Sequence, residues 1–424
     1  MLVFGLLIGL IALLIGVPIF AVFVLGAGIP LFYDLNVPLS ALSNLCVGAI
    51  NKYVLLAIPL FVMAGHLLTQ GGAVKRIIDF LMAVFGHLPG GLAIIAILAS
   101  AFFGACAGSS LAVIVAVGTI MIPIMEKYGY SKAFSAGLLS VSGILGLIIP
   151  PSNGYIIYGA ITGTSISKLF IAGIIPGLTL TLALCVVAAV ICRRRFETLP
   201  RASWAEIRTT LFHALPSLCV PVIVLGVIYG GIATPTEAAA VACAAAVILG
   251  LIHRQLTWQS LMDSFIKTAY AVGIIFILIA TAIFLSAMFS YYKMPQNLTT
   301  WMMGTGLNPV MFLFMASLLA LILGTFIEAV PMAYITLPIL FPMAVALNVN
   351  PLFYGVLSNI FAGAGQVTPP VGVGLYTAAA TSGAHTQDVL KEAMPFFITW
   401  VAVGFILIFF PGLCSWLPNL MVGV

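Results

Sequence analysis

One pattern occurs twice in the chain, and each copy interrupts a hydrophobic stretch. The first reads GLIIPPSNG over 146–154 and the second GQVTPPVGV over 365–373. Pro150 and Pro369 stand 219 positions apart. The same separation links Pro123 to Pro342, Phe134 to Phe353, Thr162 to Thr381 and Pro176 to Pro395. A double proline breaks a helix, because it removes N–H donors and its rings clash with the preceding turn. Lipid cannot satisfy the freed backbone groups, so such breaks persist in a membrane only where protein, water or a ligand satisfies them. Paired interrupted segments in corresponding halves point to the binding site of a secondary transporter.

The hydrophobic setting follows from composition. Of 424 residues, 63% are hydrophobic and 6% charged, and mean hydropathy is +1.27. A soluble domain is about 25% charged. The chain therefore reads as an all-α integral membrane protein; a barrel would show short alternating segments. The first thirty residues are too long and apolar for a signal peptide and read as a span. The seven cysteines show no CxxC pair and read as buried structural thiols. The formal charge of +5 sits in loops and does not indicate nucleic acid.

Hydropathy marks segments near 2–32, 41–69, 90–126, 131–164, 168–192, 211–233, 235–253, 268–292, 309–347, 351–383 and 393–418. One crossing needs about 20 residues, so four segments are too long. Two of these carry the double prolines. The other two, 90–126 and 309–347, are interrupted by GACAGSS at 104–110 and GTFIEAVP at 324–331. Both read as re-entrant hairpins of two half-depth helices. Arg193, Arg194, Arg195, Arg201 and Arg208 fall in one short loop, which the positive-inside rule places in the cytoplasm. Counting from that loop with non-crossing hairpins puts the N-terminus inside and the C-terminus outside. Arg254, Lys267, Lys127, Lys132, Lys75, Arg76 and Lys391 then lie inside. The two copies become inverted, with one hairpin opening to each side. Residues 74–88 and 295–307 are amphipathic and too short to span; both read as helices lying in the interface.

These boundaries divide the chain into scaffold spans (1–73), an interfacial arm (74–89) and a first transport repeat (90–192). A cytoplasmic linker (193–210), scaffold and connecting spans (211–292), a second arm (293–308) and a second transport repeat (309–424) follow.

Two hairpin tips and two broken helices expose helix ends. N-termini offer N–H groups and C-termini offer carbonyls. Carbonyls with Ser and Thr hydroxyls make a hard-oxygen nest suited to Na⁺. The solute candidates are Ser109, Ser110, Ser152, Asn153, Gln366 and Thr368. The Na⁺ candidates are Gly104, Gly108, Ser110, Pro150, Asn153, Gly324, Thr325, Glu328, Gly365 and Thr368, with Gly324, Gly363 and Gly365 expected to let the backbone turn. The bland alternative is that these hydroxyls merely bridge helices. Glu328 is the one acidic residue placed deep in the membrane; it would bind a cation, carry a proton or cap its hairpin's second helix. Thr234, Pro235 and Glu237 fit a capping box. Tyr155, Tyr158 and Tyr376 are expected to pack. No Arg or Lys falls in the expected core, so an anion would rest on helix N-termini and hydroxyls, or on a side chain that hydropathy misplaces. GxxxxGK[ST], HExxH and GxSxG motifs are absent, and no His lies near Ser109 or Ser110 in the sequence to act as a base. An enzyme is not expected.

The double prolines, the 104–110 cluster, the TPTEAA run at 234–239 and the VTPPVG motif at 367–372 together resemble the large membrane subunit of tripartite ATP-independent periplasmic (TRAP) transporters. The resemblance covers essentially the whole chain. It implies an inverted-repeat, elevator-type secondary transporter with two re-entrant hairpins and two broken helices, similar to divalent-anion/sodium symporters. It also implies Na⁺-driven uptake, across the bacterial inner membrane, of an acidic organic solute of the sialic acid or C4-dicarboxylate class. A soluble periplasmic solute-binding protein would deliver the solute, and a small four-helix membrane subunit, expected as a separate chain, would complete the transporter. Proton coupling through Glu328, a free-standing symporter, a channel and a membrane-embedded enzyme are the alternatives.

Overall fold

The computed structural model describes residues 1–193, 199–304 and 306–421. Every regular element in this range is helical. Apolar runs form α1 (Leu2–Leu14), α2 (Ile19–Tyr33), α3 (Leu39–Ile50), a 3-10 turn (Tyr53–Leu56) and α4 (Ala57–Gln70). The amphipathic α5 (Ala73–Phe85) leads to α6 (Gly91–Ala107) and α7 (Ser110–Lys127). The first broken helix is α8 (Lys132–Ser142), α9 (Leu145–Ile148) and α10 (Asn153–Thr162), followed by α11 (Ile166–Cys192). Next come α12 (Trp204–Tyr229), α13 (Pro235–Ile252), α14 (Trp258–Tyr291) and the short α15 (Met294–Gly304). The second hairpin is α16 (Pro309–Gly324) and α17 (Ala329–Ala346), and the second broken helix is α18 (Pro351–Gly365) and α19 (Val373–Ser382). The chain closes with α20 (Thr386–Ile408) and α21 (Gly412–Met421). Among the described residues eight helices are long and apolar enough to cross a membrane. A bent pair, Lys132–Ile148 with Asn153–Thr162, turns by 43° at the first double proline.

The 219-residue repeat is visible in the elements. Ser131 caps α8 by accepting the Phe134 N–H, and Asn350 caps α18 by accepting the Phe353 and Leu352 N–H groups. Pro123 and Pro342 lie inside α7 and α17, and Pro176 and Pro395 inside α11 and α20. Both double prolines hold a cis bond. The expected capping box at α13 is present: Glu237 Oε2 accepts the Thr234 N–H at 2.8 Å and Thr234 Oγ1 accepts the Glu237 N–H at 3.3 Å.

Five expectations change. Segment 2–32 is not one crossing, because α1 and α2 fold back on each other. A Cβ on Gly5 would collide with the Pro30 ring, and one on Gly9 would lie 3.3 Å from the Gly26 Cα. Small residues let two backbones approach closely, which hydropathy does not register. Met1 therefore lies at the same end as Asp34, whose carboxylate accepts a hydrogen bond from Tyr292 Oη just past α14. The counted cytoplasmic N-terminus loses its basis, since that count needed a crossing between Met1 and Asp34.

Segment 41–69 is likewise divided. Only Tyr53–Gln70 is long enough to cross, and α3 lies beside Ile283, Phe284 and Tyr291 near the end of α14. The linker is shorter than expected, because Ser203 caps α12 through the Glu206 N–H and starts that helix at Trp204. The rest of the linker, with Arg194 and Arg195, includes 194–198, which lie outside the described residues. Segment 393–418 divides into α20 and α21. Helices form at both segments expected to lie in the interface, α5 and α15.

Candidate functional site

Each hairpin tip is tied to the break of its own half. At the first tip Gly108 adopts φ +61°, a left-handed turn that favours glycine. Its carbonyl accepts the Asn153 N–H at 3.2 Å, at the start of α10. At the second tip the Thr325 carbonyl accepts the Val371 and Gly372 N–H groups, each at 3.1 Å. Asn153 and Gly372 are again 219 positions apart.

The glycines have a different role from the expected one. Gly324, Gly363 and Gly365 sit in ordinary helical conformation; the left-handed glycine at the second break is Gly372, at φ +40°. What Gly104, Gly324 and Gly365 supply is close approach. A Cβ on Gly104 would lie 2.7 Å from the Gly146 Cα, and one on Gly324 would lie 2.9 Å from the Gly365 Cα. Each hairpin helix thus packs backbone to backbone on the broken helix of its half.

The polar candidates divide into two groups. Ser152 Oγ donates to the Leu147 carbonyl at 2.7 Å and accepts the Gly154 N–H at 3.2 Å, so it braces the first break. Thr325 Oγ1 donates to Ile322 O at 2.8 Å and Thr368 Oγ1 to Ala364 O at 3.1 Å, both within their own turn. These three hydroxyl protons are spent on local backbone carbonyls and bridge no helices. Ser109, Ser110, Asn153 and Glu328 instead line one cavity between the first tip, the first break and α17. Ser110 Oγ donates to Gln366 Oε1 at 2.7 Å, which brings the second break to the same place. Asn153 Oδ1 and Gln366 Nε2 are buried there without a hydrogen-bond partner. Such groups are costly unless a ligand or water meets them. The room at the centre is about 40 Å³, enough for water-sized species and too small for an organic acid.

Asn153 Oδ1 is an unmet acceptor, and Ser109 and Ser110 line the same cavity. Among the described residues no three His, Cys, Asp or Glu side chains converge, so the donors are neutral oxygens with one carboxylate. That set suits a hard monovalent cation better than a transition metal. Glu328 occupies the N-cap position of α17, yet its side chain makes no capping bond. The expected capping contact is absent, and Glu328 borders two cavities instead.

Several lining residues escaped sequence reasoning. Thr336, Ser358 and Asn359 join the inner cavity, and Asn359 donates to Gly355 O at 2.9 Å. A lone Asn in an apolar span was the available signal. Beside the inner cavity lies a wider cleft of about 560 Å³ between α4, α7 and α14. His66, Thr69, Gln70 and Lys267 line it, and Ser109, Ile275 and Glu328 are shared with the inner cavity. Hydropathy starts that span at 268 and leaves Lys267 just outside it on the cytoplasmic side; the helix starts at Trp258, capped by Thr257. Tyr155 and Tyr158 are buried, and Tyr158 Oη donates to Pro351 O at 2.8 Å, as expected for packing residues; Tyr376 is half exposed.

Comparison with known proteins agrees with this architecture. Residues 4–413 match the family described as "Tripartite ATP-independent periplasmic transporter, DctM component". The C4-dicarboxylate TRAP transporter large permease protein DctM of Pseudomonas aeruginosa is 37% identical over 371 residues, covering 87% of each chain. The sialic acid TRAP transporter large permease protein SiaM of Vibrio cholerae is 34% identical over 378 residues, covering 89% of this chain and 88% of that one. The fold is similar to the crystal structure of the Alcanivorax borkumensis YdaH transporter, with a TM-score of 0.59 at 14% identity over 90% of this chain and 89% of that one. With its tips and breaks gathered at one cavity and the family match running over nearly its whole length, the chain belongs to the DctM family, the large permeases of TRAP transporters.

Proposed function

We propose that this permease couples an inward Na⁺ gradient to the import of an acidic organic solute of the C4-dicarboxylate or sialic acid class. The observation that carries this is the inner cavity. Two hairpin tips, bonded to two chain breaks, hold an unmet acceptor at Asn153 Oδ1 in a space of cation size. The nest draws on Gly108, Ser109, Ser110, Asn153 and Glu328, which line that cavity. On this reading both hairpins are re-entrant and the repeats are inverted. The bodies 90–192 and 309–424 would slide together against a scaffold of 1–73 and 211–292, as an elevator requires.

The same reading sets the surroundings. The chain sits in the bacterial inner membrane with its C-terminus in the periplasm. The antiparallel α1–α2 pair moves the N-terminus to the periplasmic side with Asp34. A small four-helix subunit widens the scaffold, and a periplasmic binding protein captures the solute. Adding components one at a time to proteoliposomes tests the proposal. Uptake should appear only when this chain, the small subunit and the binding protein are all present; robust uptake by this chain alone would leave a free-standing symporter instead.

A further inference from the structure

We propose that Lys267, in a cleft that His66 also lines, forms a carboxylate-accepting subsite between α4, α7 and α14. This deepens the preceding proposal and rests on it for the identity of the solute as an acid. The cleft, at about 560 Å³, falls in the usual range for organic ligands, about 300–1,000 Å³, whereas the inner cavity of about 40 Å³ does not. Three helix faces build it. Val62, His66, Thr69 and Gln70 lie on one face of α4, and Lys267, Ala271, Ile274 and Ile275 on one face of α14. The lining face of α7 includes Val115 and Thr119.

Lys267 is an ammonium three turns inside a span-length helix. The residue is exposed, so its charge stays available to a ligand. Among the described residues it belongs to neither ion pair, and the carboxylate one turn earlier, Asp263, does not reach it. His66, on α4, lines the same cleft. The other charged lining group is Glu328, at the inner end, where the two cavities meet. The pair sets a direction. A carboxylate is drawn to Lys267 and repelled from Glu328, while a cation is drawn the other way. An acid in the cleft is therefore held with its carboxylate toward Lys267 and its remainder toward Ser109. The Gln70 amide in the same lining can donate to a carboxylate, whereas the Thr69 and Thr119 hydroxyls already donate to Gly65 O and Ala116 O.

Cysteine labelling tests the subsite without a gradient, a partner or knowledge of the solute. A single T119C in a cysteine-free background is reacted with methanethiosulfonates bearing a sulfonate, a trimethylammonium or a neutral ethyl group. With Lys267 present, the sulfonate-to-ammonium rate ratio should exceed that of Lys267→Gln by about fivefold or more, from one unit charge at close range. Lys267→Arg should keep the ratio, and the neutral reagent should react equally with all three, which shows that the cleft is intact. Sodium succinate should slow labelling more than NaCl of matched ionic strength, in the Lys and Arg forms only. An unchanged ratio in Lys267→Gln, or succinate protection that survives loss of the charge, overturns the subsite. Loss of Na⁺ coupling in transport would leave this result standing, so the two proposals fail separately.

Discussion

Ser110 and Gln366 are 256 positions apart in the chain, yet the Ser110 hydroxyl donates to Gln366 Oε1 at 2.7 Å in a buried setting. The bond joins the first hairpin to the second chain break. The Gln366 carbonyl also accepts the Gly374 N–H at 2.9 Å, so one residue holds both the far break and the near hairpin. Ser110→Ala leaves a buried amide oxygen unmet, at a cost of about 1–3 kcal/mol. Thermal unfolding in detergent should fall, and half-maximal uptake should need more Na⁺, whereas Ser110→Thr should restore much of both. Normal stability and Na⁺ dependence in the alanine form would remove Ser110 from the nest.

The glycine contacts predict a contrast within one residue type. A methyl on Gly104 or Gly324 meets backbone at 2.7 or 2.9 Å, and backbone cannot swing aside. Gly104→Ala and Gly324→Ala should each destabilise by about 1–3 kcal/mol. Gly226 in α12 and Gly273 in α14 face open space, so alanine there should be neutral or stabilise by up to about 1 kcal/mol. Unfolding midpoints of the four variants check this; equal effects would mean that hairpin and broken helix do not pack this closely.

These contacts also indicate what the sequence could convey. The double prolines at 150 and 369 and the polar clusters at 104 and 324 force breaks locally, so tips and breaks are legible from composition and spacing. The partner of each break is not, because Asn153 meeting Gly108, or Gln366 meeting Ser110, is a tertiary event. Close backbone approach leaves no hydropathy signal, which is why the Gly5–Pro30 and Gly9–Gly26 contacts turned an expected span into a helical pair. Lys267 was missed for a related reason. A window that averages hydropathy ends at a charged residue, although a long helix continues past it toward the membrane surface, where lysine can remain solvated. The hydroxyls of Thr325 and Thr368 matched the expected residue type, but each bonds its own turn.

Topology can be checked by sidedness. Tyr292 holds the Asp34 carboxylate, so the α2–α3 corner and the end of α14 lie together. Single cysteines at Ser40 and Lys293 should both be labelled from the periplasm, and one at Lys127 from the cytoplasm. A protease-sensitive tag ahead of Met1 should be cut from the periplasmic side. Cutting only from the cytoplasm would contradict the antiparallel α1–α2 pair.

Glu328 provides the sharpest chemical alternative, since its carboxylate borders both cavities without a capping bond. If it assists a cation, Glu328→Gln should weaken Na⁺ dependence and leave uptake insensitive to a pH gradient. If it carries the coupling proton, the same change should abolish all gradient-driven uptake.

The central claim is that the inner cavity binds the Na⁺ that drives import. The direct measurement is initial uptake by the reconstituted permease, small subunit and binding protein, using the radiolabelled acid which that binding protein retains. An inward Na⁺ gradient, an inward H⁺ gradient in Na⁺-free buffer, and no gradient are compared. The account predicts accumulation with Na⁺ only, and a several-fold higher Na⁺ requirement in Asn153→Ala. Equal accumulation driven by H⁺ without Na⁺ would contradict it.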